Sequence, residues 1–474
     1  MEKLKLIIVI IIAASFLCKI AMVFSIRGLW WDEAVYLGLG KNLASGTYSL
    51  DTTYPVESFR PPLFPFLISL FHSSIPEARI FVCSLSLICI LAIYFLFREK
   101  FGKRIALWSS FFLSTNAMFI FFTTKVLSET LFMIFLTVCI FFYLTWAKSG
   151  RNRDIFLSGV FAGLAFITRY FASILILSCM LSLFFAREGK PNKLHCILCF
   201  TTGVLLVVSP WFALGVAYYN NPVGALLVNG KIFLSSIPDQ RGVLQFFDAF
   251  GFQLLFFVLG IMTFFRVKIR EKTFLLLLTF LSFAAFFSMH HKEARYLLSF
   301  MPVYALISSF GVEHMAGGKT KKILMLIALA VGVASTFHGL NVIVSDRDAA
   351  LPLVEACEFV KENIPHDAVV MTQSFPYAYY FLENDIVAVT GDVQTEEYYI
   401  NEKKMFENKL TWEDVWYIVN KHNVSYAIVY APEPENPDYV QNFFKGNKFE
   451  LIRTFGEGQN EARIYKIKEK ERVV

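Results

Sequence analysis

Eleven apolar stretches approach the roughly 20 residues that an α-helix needs to cross a bilayer. No other feature constrains this sequence as strongly. They lie at about 4–24, 79–97, 104–123, 126–146, 154–168, 171–186, 195–218, 246–266, 273–289, 296–313 and 321–343. Without water to satisfy the backbone, such segments are expected as helices. The fifth and sixth are short, and Arg169-Tyr170 alone divides them; a pair of helices and one long or kinked helix both fit. Charged residues make up 17% of the chain, against about 25% in a soluble one. After Val344 the composition turns polar and mixed. The expectation is an α-helical polytopic membrane protein with about 11 transmembrane helices over 1–345. A soluble α/β domain over 346–474 follows, with strands near Ala368–Met371, Ile386–Val389 and Val424–Tyr430 and helices near 395–408 and 411–421. A largely parallel sheet with a hairpin from 449–455 and 461–467 at its edge fits that pattern.

The net charge is +6, but the placement of the charges says more than the sum. Basic residues gather in alternate loops, at Arg98–Arg104, Lys148–Arg153, Arg187–Lys193, Arg266–Lys272 and Lys319–Lys322, joined by Lys3 and Lys5 at the N-terminus. The positive-inside rule puts these loops in the cytoplasm. The first loop (25–78), the Arg169 turn, the 290–295 loop and the C-terminal domain then lie outside a multi-pass cell-membrane protein. The partner that this pattern implies is the lipid bilayer, and nothing in it points to nucleic acid. Residues 1–24 lack a small-residue cleavage site for a signal peptide. Most cysteines lie in or beside the apolar stretches, so no disulfide framework is implied.

Polar residues capable of chemistry fall in the loops assigned to the outside. Asp32 and Glu33 follow Trp30 and Trp31, and tryptophan favours the membrane–water boundary. Residues 33–45 read as a short helix on the membrane surface, and 63–75 as a second interfacial helix or the entry to the next span. Glu129 opens the fourth apolar stretch. It either offsets the helix N-terminus or contacts substrate or metal. Arg169 either snorkels to lipid phosphate or faces an anionic substrate group. In His290-His291-Lys292-Glu293-Ala294-Arg295-Tyr296 the cations suit phosphate, whether of substrate or lipid; the paired histidines leave a metal open.

Taken together, these residues resemble the GT-C polytopic glycosyltransferases, in the branch of the protein O-mannosyltransferases and lipid A aminoarabinose transferases. The resemblance rests on Trp31-Asp32-Glu33-Ala34-x-Tyr36, on Arg60-Pro61-Pro62-Leu63, on Leu127–Thr130 with Glu129, and on Thr168-Arg169. His291-Lys292-Glu293-x-Arg295-Tyr296 is also similar to an element of the lipid-linked-glycan mannosyltransferases. The resemblance implies a transferase that takes mannose, or a similar hexose or pentose, from a polyprenyl- or dolichyl-phosphate donor. The acceptor is extracytoplasmic: protein, lipid or glycan. Inversion by single displacement would use Asp32 as base with Glu33 beside it. Arg60, Glu129, Arg169, His291, Lys292, Arg295 and Tyr296 would bind substrate. No cofactor is implied with certainty, and a divalent metal near Asp32 and Glu129 stays open. A transporter or flippase of polyprenyl-linked glycans is the main alternative, since intramembrane charges would serve it too. A receptor using its outer domain is a further one.

Overall fold

The computed structural model describes residues 2–50, 60–71, 74–185, 193–223, 242–266, 272–290, 292–315, 317–388, 412–432, 448–457 and 460–468. They form two compact units. One comprises Met1–Ile26, Ser58–Leu67 and Ser74–Ser345; the other comprises Arg27–Glu57, Ile68–Ser73 and Asp346–Val474.

The first unit is helical. Its helices in chain order are α1 (Glu2–Val23), then, after α2 and α3 described below, α4 (Ile75–Phe101), α5 (Lys103–Ser114), α6 (Ala117–Phe122), α7 (Glu129–Ser149), α8 (Asn152–Phe166), α9 (Ala172–Phe184) and α10 (Lys193–Tyr219). Helices over Leu244–Phe250, Leu254–Phe264, Lys272–Ser288, Ala294–Leu298, Met301–His314 and Gly318–Asp346 complete it. Among the described residues, six helices are long and apolar enough to cross a membrane, Leu244–Phe264 counting as one through its 3₁₀ turn at Gly251–Gln253; Ala172–Phe184 and Lys272–Ser288 are shorter apolar ones.

Two expected spans are interrupted. The 104–123 stretch breaks between α5 and α6, where the Asn116 side chain accepts the Phe119 N–H at 2.9 Å. Thr115 Oγ1 donates back to the Phe111 carbonyl at 2.7 Å. Short polar side chains that bond the nearby backbone compete with helix continuation, and a hydropathy window averages over them. The 296–313 stretch divides in the same way into Ala294–Leu298 and Met301–His314. The 154–186 region is two helices, α8 and α9, with Arg169 in the turn between them.

Close helix packing rests on glycine. A Cβ at Gly159 of α8 would lie 2.1 Å from the Phe200 carbonyl of α10, and one at Gly203 would lie 2.3 Å from the Phe156 carbonyl. Small residues let backbones approach where the lipid surroundings provide no hydrophobic drive. Gly260 and Gly311 serve a second helix pair likewise. Lys19 of α1 is fully buried; its ammonium donates to Ser86 Oγ at 2.5 Å and Thr123 Oγ1 at 2.9 Å.

The second unit joins α2 (Trp31–Ala44) to the segment from Asp346 onward. α3 (Leu63–Ser69) spans the division between the two units. Its helices over Leu351–Asn363, Phe375–Phe381 and Trp412–Lys421 accompany a five-stranded sheet ordered β2-β1-β3-β5-β4. The strands are β1 (Val370–Thr372), β2 (Ile386–Ala388), β3 (Tyr426–Pro432), β4 (Phe449–Glu457) and β5 (Asn460–Ile467). β1 pairs in parallel with β2 and β3; β5 pairs antiparallel with β3 and β4. The sheet is therefore mixed, because the terminal hairpin inserts β5 beside β3 and leaves β4 at the edge. Met371, Val419, Ala427 and Tyr465 pack in its core. The helix expected at 395–408 lies outside the described residues.

Candidate functional site

In the helical unit the sequence-predicted residues gather around the head of α7. Glu129, at its first turn, is 1% exposed. Arg169 Nη1 lies 2.7 Å from Glu129 Oε1 and donates to Ser128 Oγ at 3.1 Å. The Glu129 contact is a close ion pair off the hydrogen-bond direction, so both its buried oxygens keep hydrogen-bonding capacity. The Leu63 N–H donates to the Ile167 carbonyl at 3.0 Å. That bond ties the chain just after Arg60-Pro61-Pro62 to the Arg169 turn. The Arg169 guanidinium lies 5.6 Å from the Phe171 ring centre, and Phe171 stacks on Tyr296 at 5.3 Å and 24°. Arg295 holds Glu293 through both carboxylate oxygens, at 2.5 Å and 2.8 Å. The Tyr296 hydroxyl donates to the same carboxylate at 3.3 Å. Lys292 donates to the Met289 carbonyl. His291 lies outside the described residues.

This arrangement brings Glu129, Arg169, Tyr296 and Arg295 into one connected cluster. Its cations are already matched internally, Arg169 by Glu129 and Arg295 by Glu293. A phosphate entering here would exchange partners with those carboxylates. Glu293 and Phe171 are members of the cluster that sequence reading did not assign. Glu293 stood inside the quoted His-Lys-Glu motif, and its i, i+2 spacing to Arg295 was the available signal. Phe171, one of many phenylalanines, carried none.

The carboxylate pair belongs to the other unit. Asp32 and Glu33 occupy the first turn of α2, where the helix N-terminus favours negative charge. Glu33 is 0% exposed and Asp32 9%. Glu33 Oε2 accepts the Trp30 N–H at 3.0 Å, capping the helix start. The Trp30 indole donates to Asp346 Oδ2 at 2.8 Å. Trp31 meets Phe375 edge-on at 5.3 Å, and the Tyr377 hydroxyl donates to the Leu29 carbonyl at 2.8 Å. Burial pushes the Tyr377 phenol well above its ordinary range, and the carboxylates Glu33 and Asp32 add to that, so it stays a donor at neutral pH. The N–H groups of Arg27 and Gly28 both donate to the Arg347 carbonyl, and Leu29 N–H to that of Ala349. A Cβ at Gly28 would lie 2.1 Å from the Ala349 oxygen. Arg27 adds a 2.9 Å ion pair to Asp348.

This corrects one expectation. α2 is not a surface helix: every residue from Asp32 to Gly40 is buried. Its partner is the Phe375–Phe381 helix, whose Tyr380 carbonyl accepts from Lys41 at 3.0 Å. The tryptophans likewise find protein partners rather than serving the membrane boundary alone. Among the described residues no group of three or more His, Cys, Asp or Glu is placed to hold a metal ion.

The family model for dolichyl-phosphate-mannose-protein mannosyltransferase matches residues 60–213, and that for the Alg9-like mannosyltransferase family matches 243–374. No curated protein matches by sequence. Among solved structures, ArnT from Cupriavidus metallidurans bound to undecaprenyl phosphate is similar with a TM-score of 0.70 at 10% identity, over 96% of this chain and 97% of that one. The archaeal oligosaccharyltransferase AglB from Archaeoglobus fulgidus, in complex with an inhibitory peptide and a dolichol-phosphate, gives 0.60 at 13%, over 89% and 69%. The mycobacterial arabinofuranosyltransferase AftD gives 0.58 at 12%, over 97% and 42%. At these identities the structural likeness is one of fold, and the two family models supply the activity class. The chain is a membrane glycosyltransferase, with two stretches similar to mannosyltransferase families and a fold shared with ArnT, AglB and AftD.

Proposed function

We propose that this enzyme transfers a hexose or pentose, mannose being the first candidate, from a polyprenyl- or dolichyl-phosphate donor to an extracytoplasmic acceptor. In this reading the apolar stretches cross the bilayer about eleven times over 1–345, and 346–474 forms an outer α/β domain. The observation that carries the proposal is the connected cluster of Glu129, Arg169, Tyr296 and Arg295, which offers cations with exchangeable carboxylate partners. Arg60, Arg169, Lys292 and Arg295 hold the donor phosphate, by fork or by point charge. Undecaprenyl phosphate and dolichol-phosphate, bound by ArnT and AglB, support this ligand class.

Asp32 is the base. It takes the proton of the acceptor hydroxyl as that oxygen bonds to the sugar C1. The C1–O bond to phosphate breaks on the opposite face, and polyprenyl phosphate leaves with the electron pair. One displacement inverts the anomeric centre. Glu33 supports Asp32 by fixing the start of α2, and Glu129 binds the acceptor. Protein, lipid and glycan acceptors all present the required hydroxyl.

Asp32→Asn separates basicity from packing. The expected outcome is an enzyme that folds and binds donor but transfers sugar about 10²–10⁴-fold more slowly. Transfer at the wild-type rate removes Asp32 from the base role.

A further inference from the structure

The helical unit also has an open cavity of about 460 Å³ that none of the Glu129–Arg169 cluster lines. It sits among the start of α1, the end of α4, the start of α5, the end of Met301–His314 and the start of Gly318–Asp346. Six cations line it: Lys5, Arg98, Lys103, Arg104, Lys321 and Lys322. Glu313 is the one carboxylate in its wall, and that charge is already held. Lys321 lies 2.7 Å away, Arg104 4.0 Å, and the Trp108 indole N–H donates to it at 3.2 Å. Arg98, Lys103 and Lys322 make no ion pair among the described residues. Three helices begin at this cavity, with their partial positive ends adding to the field. The remaining wall includes Leu4, Ile8, Leu107 and Met325.

Arg98, Lys103, Arg104 and Lys322 are exposed to solvent, yet all six cations open onto one hollow that also has an apolar wall. We propose that this cavity is a binding site for a phosphate anion, distinct from the sugar-transfer site. The phosphate is either that of an anionic phospholipid, whose acyl stem follows Leu4, Ile8 and Met325, or a free phosphate. Basic pockets between membrane helices are suited to such headgroups.

The test uses the full-length protein in nanodiscs. Retained lipid is counted by native mass spectrometry, and thermal stabilisation is measured with dioleoylphosphatidylglycerol, with dioleoylphosphatidylcholine and with inorganic phosphate. The triple variant Arg98→Gln/Lys103→Gln/Lys322→Gln should lose about tenfold or more in affinity, one charge-assisted contact being worth about that factor. Ile8→Phe keeps every charge but fills the cavity, and should also weaken binding; it carries the test if the triple variant does not fold. Lys148→Gln/Arg151→Gln neutralises exposed cations elsewhere and should change nothing. Stabilisation by phosphatidylglycerol alone identifies a headgroup site, and equal, competing stabilisation by inorganic phosphate identifies a free-phosphate site. Wild-type binding in both cavity variants overturns the proposal, as does an equal loss in the remote pair.

Discussion

Two adjacent carboxylates of the same charge are given different work by their surroundings. Glu33 is wholly enclosed and accepts the Trp30 N–H. Removing that acceptor takes the helix-capping partner from the half-buried Trp30 N–H, at about 1 kcal/mol. Glu33→Ala should therefore lower thermal stability measurably, whereas Asp32→Asn should unfold close to wild type. An equal loss in both would make Asp32 as structural as its neighbour. At the cation cluster, Arg295→Ala should weaken donor binding by roughly 1.5–3 kcal/mol, read as donor affinity on the purified enzyme. Glu293→Gln should instead strengthen or preserve donor affinity, since it releases Arg295 from an internal competitor. Weaker donor binding in Glu293→Gln would show that the pair positions the arginine rather than competing for it.

At the scale of elements, apolar length was legible and interruption was not. The windows over 126–146 and 195–218 correspond to α7 and α10, where Thr137 and Thr145 donate back to the backbone and Pro210 lies inside the helix without ending it. The window over 104–123 concealed the break at Thr115-Asn116, where local side-chain bonds outweigh hydropathy. The Glu129–Arg169 pairing was half legible: both residues stood at ends of apolar stretches, but their contact depends on a fold that spacing does not encode. The burial of α2 was illegible because its partner helix, Phe375–Phe381, is more than 300 residues away. Glycine-mediated packing provides an element-scale test. Gly203→Leu should disrupt α8–α10 contact, since its Cβ meets backbone rather than a flexible side chain. Gly317→Ala, with nothing within 4 Å, should be neutral. Equal proteolytic resistance of both variants would contradict this packing.

For the whole molecule, the chain's division is not a simple one into early membrane part and late domain. Residues 27–57 and 68–73 group with the segment from Asp346 onward, and the N–H groups of 27–29 donate to the carbonyls of Arg347 and Ala349. The Trp31–Tyr36 motif of the first loop is thus built into the unit that contains the sheet, whereas Arg60–Leu63 belongs to the helical unit. Topology is testable directly. An impermeant thiol reagent applied to intact cells should label Glu362→Cys, because this exposed position lies in the segment assigned to the outside, and the native Cys357 is buried. Protection of that thiol would place the site in the cytoplasm. The central claim is that the chain moves a sugar from a lipid phosphate to an acceptor with Asp32 as base. Mass spectrometry of glycolipids and glycoproteins from cells carrying the wild-type chain, the Asp32→Asn variant or no chain tests it most directly. The account predicts that one hexosylated or pentosylated class disappears both without the chain and with Asp32→Asn, while its unglycosylated acceptor accumulates. Identical glycolipid and glycoprotein profiles in all three would contradict it.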